Sequence, residues 1–311
     1  MATTLFHHSD VLGHDMGAGH PERPERIQAL LARLDAPEFA ALVRREAPEA
    51  AQEALERVHP ASYLDMLHDL APTDDSLVRL DPDTAMNRGS WAAASRAAGG
   101  AVAAVDAVMT GACDNAFVAT RPPGHHAERT RAMGFCFLSN AAVAARHAQS
   151  VHGAERVAIV DFDVHHGNGT QDVFWDDPSV LYCSTHEMPL FPGTGARNER
   201  GAHDTIVNAP LPSGADGAVF REAMEGAILP RVARFAPDLV IVSAGFDAHH
   251  RDPLASLALV EADFAWATAR LMEAADRSAR GRLVSLLEGG YDLEGLAGSA
   301  AAHVATLMGR P

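Results

Sequence analysis

The sequence predicts a single α/β domain built around a parallel sheet. Three observations lead there: short apolar runs alternate with helical stretches along most of the 311 residues, ionisable residues gather just after those runs, and no linker or low-complexity tract interrupts the chain. The length is compatible with one large unit, and 47% hydrophobic residues can fill a sizeable core.

The first strand is expected at Thr3–His7. A Gly/His/Pro loop follows, and Pro21 and Pro24 mark the start of a helix whose apolar face carries Ile27, Leu30, Leu31 and Leu34. Residues 36–88 show no clear period. An Ala-rich helix spans Ser90–Met109, and the alternation is regular from there: strand Asn115–Thr120, helix Asn140–His152, strands Val157–Val160 and Val180–Cys183, helix Gly217–Phe235, strand Leu239–Ser243, helix Glu261–Arg277, strand Leu283–Leu287 and helix Leu293–Met308.

Composition narrows the function. With 25 Lys+Arg against 41 Asp+Glu the formal charge is −16, a field that repels phosphate backbones and anionic lipid, so no nucleic-acid or membrane partner is expected. Cys113, Cys136 and Cys183 form no CxxC and suit a reducing compartment. The segment MATTLFHHSDVLGHD has no basic stretch leading into an apolar one, and no run approaches the ~18 apolar residues of a membrane span, so a soluble cytoplasmic protein is expected. Seventeen histidines against three tyrosines are unusual, and His7-His8, His125-His126, His165-His166 and His249-His250 are tandem pairs. Such pairs direct attention to metal or acid–base chemistry.

In open parallel sheets ligands bind beyond the carboxyl ends of the strands. VAIV runs into Asp161-Phe162-Asp163-Val164-His165-His166, LVIVSAG into Phe246-Asp247, LVSLL into Glu288-Gly289-Gly290-Tyr291, and AFVAT into Arg121-Pro122-Pro123-Gly124-His125-His126. In an extended segment Asp161, Asp163 and His165 face one side, as metal ligands would. A lone aspartate at a strand end can simply cap a turn, but the whole DFDVHHGNG string is harder to explain that way. Gly167 and Gly169 offer backbone freedom to turn after the ligands, with Asn168 between them as an acceptor.

A hydrolytic zinc site needs about three protein ligands and one open position. Asp163 and His165 supply two, and Asp247 is the best third. Such an Asp/His set suits zinc or ferrous iron. One imidazole of His125-His126 can act as general base towards water at the metal while the other protonates the leaving amine or tunes the field, with Asp161 and Asn168 as orienting acceptors. The phenol of Tyr291 can donate to a developing oxyanion. Phe135 in Gly134-Phe135-Cys136 and Phe191 in Phe191-Pro192-Gly193 are ordinary core aromatics taken singly, but together they can wall a narrow apolar channel.

These residues carry a family resemblance. HPERPERI at His20–Ile27, RPPGHHA, MGFCF, DFDVHHGNGTQ, FPGTG, SAGFDAH and EGGYDL occur in that order, and the sequence resembles the zinc-dependent histone deacetylases, including bacterial deacetylase-like amidohydrolases and acetylpolyamine amidohydrolases. Asn168, RPPGHH and HPERPER are similar to the class II branch. The resemblance covers nearly the whole chain, residues 1–311 being read as one deacetylase domain. It implies an arginase-like fold with a central eight-stranded parallel sheet flanked by helices.

Carried over position by position, the resemblance makes Asp163, His165 and Asp247 the zinc ligands, His126 the general base and His125 its electrostatic partner. Asp161 and Asn168 become their hydrogen-bond partners and Tyr291 the carbonyl-polarising phenol. Phe135, Phe191 and Gly134 line the acyl-lysine tunnel, and Arg26 lies below the metal. A structural potassium ion would be held by Asp161, Asp163, His165, Ser184 and Thr185. Leu254 stands where polyamine-selective relatives carry an acidic gatekeeper, which favours acetyl-lysine in proteins or peptides over small acetylated amines. The implied reaction is metal-assisted amide hydrolysis, with an acetylpolyamine amidohydrolase as runner-up and a non-catalytic acyl-lysine binding module behind it. A binuclear manganese ureohydrolase would need a further DxHxD-type ligand set that the sequence lacks. His249-His250 is read as a solvated pair or part of the rim.

Overall fold

The structure, a computed structural model, describes residues 2–309. The chain opens with β1 (Thr3–His7) and α1 (Glu25–Leu34), both where the sequence places them. The region without a clear period contains β2 (Val43–Glu46), the short helices α2 (Gln52–Glu56) and α3 (Ala61–Leu70), and an antiparallel hairpin of β3 (Val78–Asp81) and β4 (Thr84–Met86). Next come α4 (Ser90–Met109), β5 (Asn115–Val118), α5 (Asn140–His152), β6 (Val157–Asp161), α6 (Asn168–Phe174), β7 (Val180–Glu187) and β8 (Ile206–Leu211). The expected helix Gly217–Phe235 is present as α7 (Gly217–Ala223) and α8 (Leu229–Phe235), joined by a π-helical turn at Met224–Ile228. The chain ends with β9 (Leu239–Ala244), α9 (Glu261–Ser278), β10 (Leu283–Leu287) and α10 (Leu293–Leu307).

Eight strands form one parallel sheet in the order β2-β1-β5-β10-β9-β6-β7-β8. Every residue of β5, β6, β9 and β10 is buried, as continuous apolar strands in the middle of a sheet covered on both faces should be. The two edge strands explain why the sequence hid them. β2 is Val-Arg-Arg-Glu and exposed throughout, and β8 contains Pro210, which has no N–H to donate; charge and proline are how edges avoid further pairing.

Alternation along the strands divides the core in two. Phe117, Ala158 and Val160 pack with Ile27, Leu30, Phe264, Leu271 and Val304 on the α1, α9 and α10 side. Ala116, Val118, Val157 and Ile159 pack against α3, α4 and α5 on the other. On that face α4 lies close to the preceding segment: a Cβ on Gly99 would sit 2.1 Å from the carbonyl oxygen of Pro48, so only glycine fits there.

The strands feeding the four polar motifs are β5, β10, β9 and β6, which are consecutive neighbours in the sheet. The motifs therefore meet above one stretch of its C-terminal edge, where parallel sheets place their ligands.

Candidate active site

Asp163, His165 and Asp247 bring three ligand atoms within 4.8 Å of one another, all buried. His165 Nδ1 lies 3.3 Å from Asp163 Oδ1 and 3.2 Å from Asp247 Oδ2. The backbone fixes both carboxylates: Gly289 N–H donates to Asp163 Oδ2 at 2.8 Å and Val164 N–H to Asp247 Oδ1 at 2.9 Å. The trio demands positive charge. Burial and the neighbouring Asp163 push Asp247 up to about 7, while His165, although burial opposes it, is drawn up to about 10 by hydrogen bonds to Asp163 and Asp247. Two buried carboxylates and an imidazole, with His165 facing a cavity, form a donor set that fits a divalent metal with a position left open.

The histidine pair lies beside it, and its two rings are held differently. His126 Nδ1 is 2.8 Å from Asn168 Oδ1, while Asn168 Nδ2 donates to Glu128 Oε1 at 2.9 Å, which fixes the amide's orientation. The amide oxygen therefore accepts from His126 Nδ1–H, leaving Nε2 with its lone pair. Burial, then His125 and His165, hold His126 well below its usual range and so neutral. His125 faces a carboxylate instead, its Nδ1 3.0 Å from Asp161 Oδ2 and its Nε2 3.7 Å from Asp163 Oδ1. Burial alone would lower it, but Asp163 and Asp161 raise it well above the usual value. One imidazole is thus suited to accept a proton and the other to carry charge.

The two glycines after the ligands serve a purpose other than the expected one. Neither adopts a positive φ. A Cβ on Gly167 would lie 2.4 Å from Asp161 Oδ2 and 2.5 Å from the Tyr182 hydroxyl, and one on Gly169 would lie 2.3 Å from the Ala127 carbonyl oxygen. Both are required by close packing, not by the turn.

A cavity of about 230 Å³ descends to this centre, lined by Asp83, His126, Gly134, Phe135, His165, Leu190, Phe191, Leu254 and Tyr291. Phe135 meets Tyr291 edge-on at 5.7 Å and Phe191 meets His126 at 5.1 Å, so two aromatic rings flank the passage. Gly134, with φ 55°, brings its backbone against the His126 ring, where a Cβ would sit 2.5 Å away. Arg26 is fully buried, 4.8 Å from the centre of the Tyr291 ring, with Nε donating to Gly290 O at 2.6 Å. Asp161 and Ser184 are register partners on β6 and β7, and Thr185 follows. His249 is buried and His250 exposed, so the pair is not uniformly solvated.

Sequence reasoning missed several residues here. Asp83 reaches the cavity mouth from the β3–β4 hairpin, which carried no readable period. Glu288 was legible only as an ionisable group at a strand end. In the fold its Oε2 accepts from Gly124 N–H at 2.7 Å and His125 N–H at 3.2 Å, bracing the histidine loop, and burial pushes it up to about 7. Asp106, His147 and His152 also bring three ligand atoms within 4.8 Å, but they form a hydrogen-bonded cluster. Arg57 can only donate to His147 Nδ1, at 3.1 Å, so His147 Nε2 carries the proton that it shares with Asp106 at 2.7 Å.

Comparison with known proteins agrees with this architecture. The family model described as "Histone deacetylase domain" matches residues 20–307. A Pseudomonas aeruginosa protein, "Histone deacetylase-like amidohydrolase", is 43% identical over 88% of this chain and 73% of its own length. Mouse "Polyamine deacetylase HDAC10" is 37% identical over 100% of this chain and 49% of its own length. The crystal structure of the HDA15 HD domain superimposes with a TM-score of 0.94 at 36% identity, covering 99% of this chain and 88% of that one.

Proposed function

The chain belongs to the histone deacetylase family and is a hydrolytic deacetylase, and we propose that it is a zinc-dependent deacylase of N-acetyl-lysine in proteins or peptides. The observation that carries the substrate reading is the cavity itself. Its walls are Phe135, Phe191, Leu190 and Leu254, apolar surfaces that suit the methylene stem of a lysine, and it ends at His126, His165 and Tyr291.

Asp163, His165 and Asp247 would hold zinc, with ferrous iron as the chemical alternative. When bound, the metal supplies a Lewis acid that polarises the acyl carbonyl and acidifies water. The chain's own residues do the rest. His126, oriented by Asn168 and kept neutral by burial, takes the proton of the attacking water at Nε2. Tyr291, whose phenol burial holds well above its usual range and therefore protonated, donates to the carbonyl oxygen as negative charge develops. His125, charged against Asp161, steadies the field, and a proton returned from the histidine pair lets the amine leave. Asp161, Asp163, His165, Ser184 and Thr185 would hold the structural potassium ion. Three buried, unpaired cysteines support a reducing, cytoplasmic setting. Among the described residues no helix is long and apolar enough to cross a membrane.

A second reading has its own observation. Asp83 places a carboxylate at the cavity mouth, where a cationic acetylpolyamine would find a partner, and the mouse relative is named a polyamine deacetylase. The test is kcat/KM for the zinc-loaded protein on an acetyl-lysine peptide beside an N-acetylated polyamine in the same buffer and salt. A peptide preference of tenfold or more upholds the proposal, and a polyamine preference of that size replaces it with the second reading.

A further inference from the structure

The loop that carries Tyr291 has no regular secondary structure, so its backbone groups must find partners elsewhere. Charged side chains provide most of them. From below, Arg26 donates to Glu288 O at 2.5 Å and Gly290 O at 2.6 Å. Asp163 takes Gly289 N–H at 2.8 Å. From the β9 side, Asp252 Oδ2 takes the N–H groups of Tyr291 at 2.7 Å and Asp292 at 3.3 Å. The other oxygen of the same carboxylate, Oδ1, accepts from Leu254 N–H at 3.0 Å. Asp252 is 7% exposed, and its own N–H donates to His249 O at 2.9 Å, so its backbone is tied into the loop that also carries Asp247.

We propose that Asp252 is a positioning residue that couples the rim of the cavity to the oxyanion donor, because one carboxylate holds the backbone of Leu254 with one oxygen and that of Tyr291 with the other. The inference rests on the reading of Tyr291 as the phenol that stabilises the oxyanion. A carboxylate that accepts from three backbone N–H groups cannot be replaced by an amide without setting an NH₂ group against a donor. Turned one way the NH₂ group faces the N–H groups of Tyr291 and Asp292, turned the other way it faces Leu254 N–H, and in both the single carboxylate link between the two segments is broken. The Tyr291 hydroxyl is then no longer held in register with the rim, and a displacement of about 1 Å in a reacting geometry can cost on the order of 100-fold.

The experiment is a double-mutant cycle of Asp252→Asn and Tyr291→Phe, read as kcat and KM on an acetyl-lysine peptide, with metal content measured for each protein. Asp252→Asn is expected to lower kcat by tenfold or more with KM changed less than threefold and metal content unchanged, and to add little further loss once Tyr291 is phenylalanine. Wild-type kcat in Asp252→Asn, or losses that multiply in the double variant, would overturn the proposal. Wild-type turnover in Tyr291→Phe alone would remove the reading of Tyr291 itself, and this inference with it. If Asp252→Asn does not fold, Asp252→Glu keeps the charge, moves the carboxylate by one methylene, and is read in the same cycle against the same outcomes.

Discussion

The hydroxyl of Tyr182 donates a 3.0 Å hydrogen bond to Oδ2 of Asp161, the same oxygen that faces His125 Nδ1 at 3.0 Å. A fully buried phenol on β7 therefore fixes the carboxylate that faces His125. Gly167 closes the arrangement from above, with no room for a side chain. Tyr182→Phe is expected to fold, to keep its metal, and to lose about 1–2 kcal/mol of stability from the less satisfied carboxylate. We expect kcat to fall roughly 3- to 10-fold at near-constant KM, because only the orientation of Asp161 changes; steady-state kinetics beside thermal melting check both numbers.

Tyr291 is expected to matter more. Removing a donor aimed at a developing oxyanion costs on the order of 10²–10³ in turnover. Tyr291→Phe should show that loss with an unchanged melting curve and metal content, and near-wild-type turnover would rule out the phenol's role.

The ligand trio makes a prediction that does not depend on turnover. Metal analysis of the purified protein should give about one zinc per chain, removable by a chelator, and Asp247→Ala should bind none at equal zinc concentration. Because Asp163 and Asp247 crowd negative charge into one buried site, chelation should also lower the melting temperature; an unchanged melting temperature would mean the trio is stable without a cation.

Leu254 and Asp83 lie at the mouth of the same cavity with opposite character. Leu254→Glu is expected to shift the ratio of kcat/KM for an N-acetylated polyamine over an acetyl-lysine peptide upward by about tenfold, since a partly buried ion pair there is worth on the order of 1–2 kcal/mol. An unchanged ratio would mean that the rim residue does not select substrate.

His303 is expected to give the fold a pH dependence remote from the candidate site. It is fully buried among Phe117, Phe162 and Phe246, hydrogen-bonded to Thr268 and Ser285, and burial holds it down to about 3. The unfolded chain binds a proton at this residue below about 6.5 and the folded chain does not, so stability is complete above that pH and falls as pH drops towards 3. From this group alone the protein should be about 3 kcal/mol less stable at pH 4.5 than at pH 7. His303→Gln should reduce the slope of unfolding free energy against pH by about 1.4 kcal/mol per unit in that window, and an equal slope in denaturant titrations would refute the assignment.

What the sequence determined by itself was whatever is local in the chain. Strand β6 followed by Asp161, Asp163 and His165, or β10 followed by Tyr291, is legible because an apolar run and the polar residues at its end lie within a few positions of each other. The long helices were legible for the same reason, since α4 and α9 repeat their pattern over many turns. The polar edge strand β2, the Pro210-bearing β8 and the hairpin that delivers Asp83 were not, because their residues do not show the alternation of a strand half-buried in a core. The tertiary structure decided which strand ends meet. Asp247 stands beside His165 across 82 positions, Gly124 beside Glu288 across 164 and Asp252 beside Tyr291 across 39. Those contacts exist because β5, β10, β9 and β6 are neighbours in the sheet, an order set by how the crossover helices pack on its two faces and not by any spacing written along the chain.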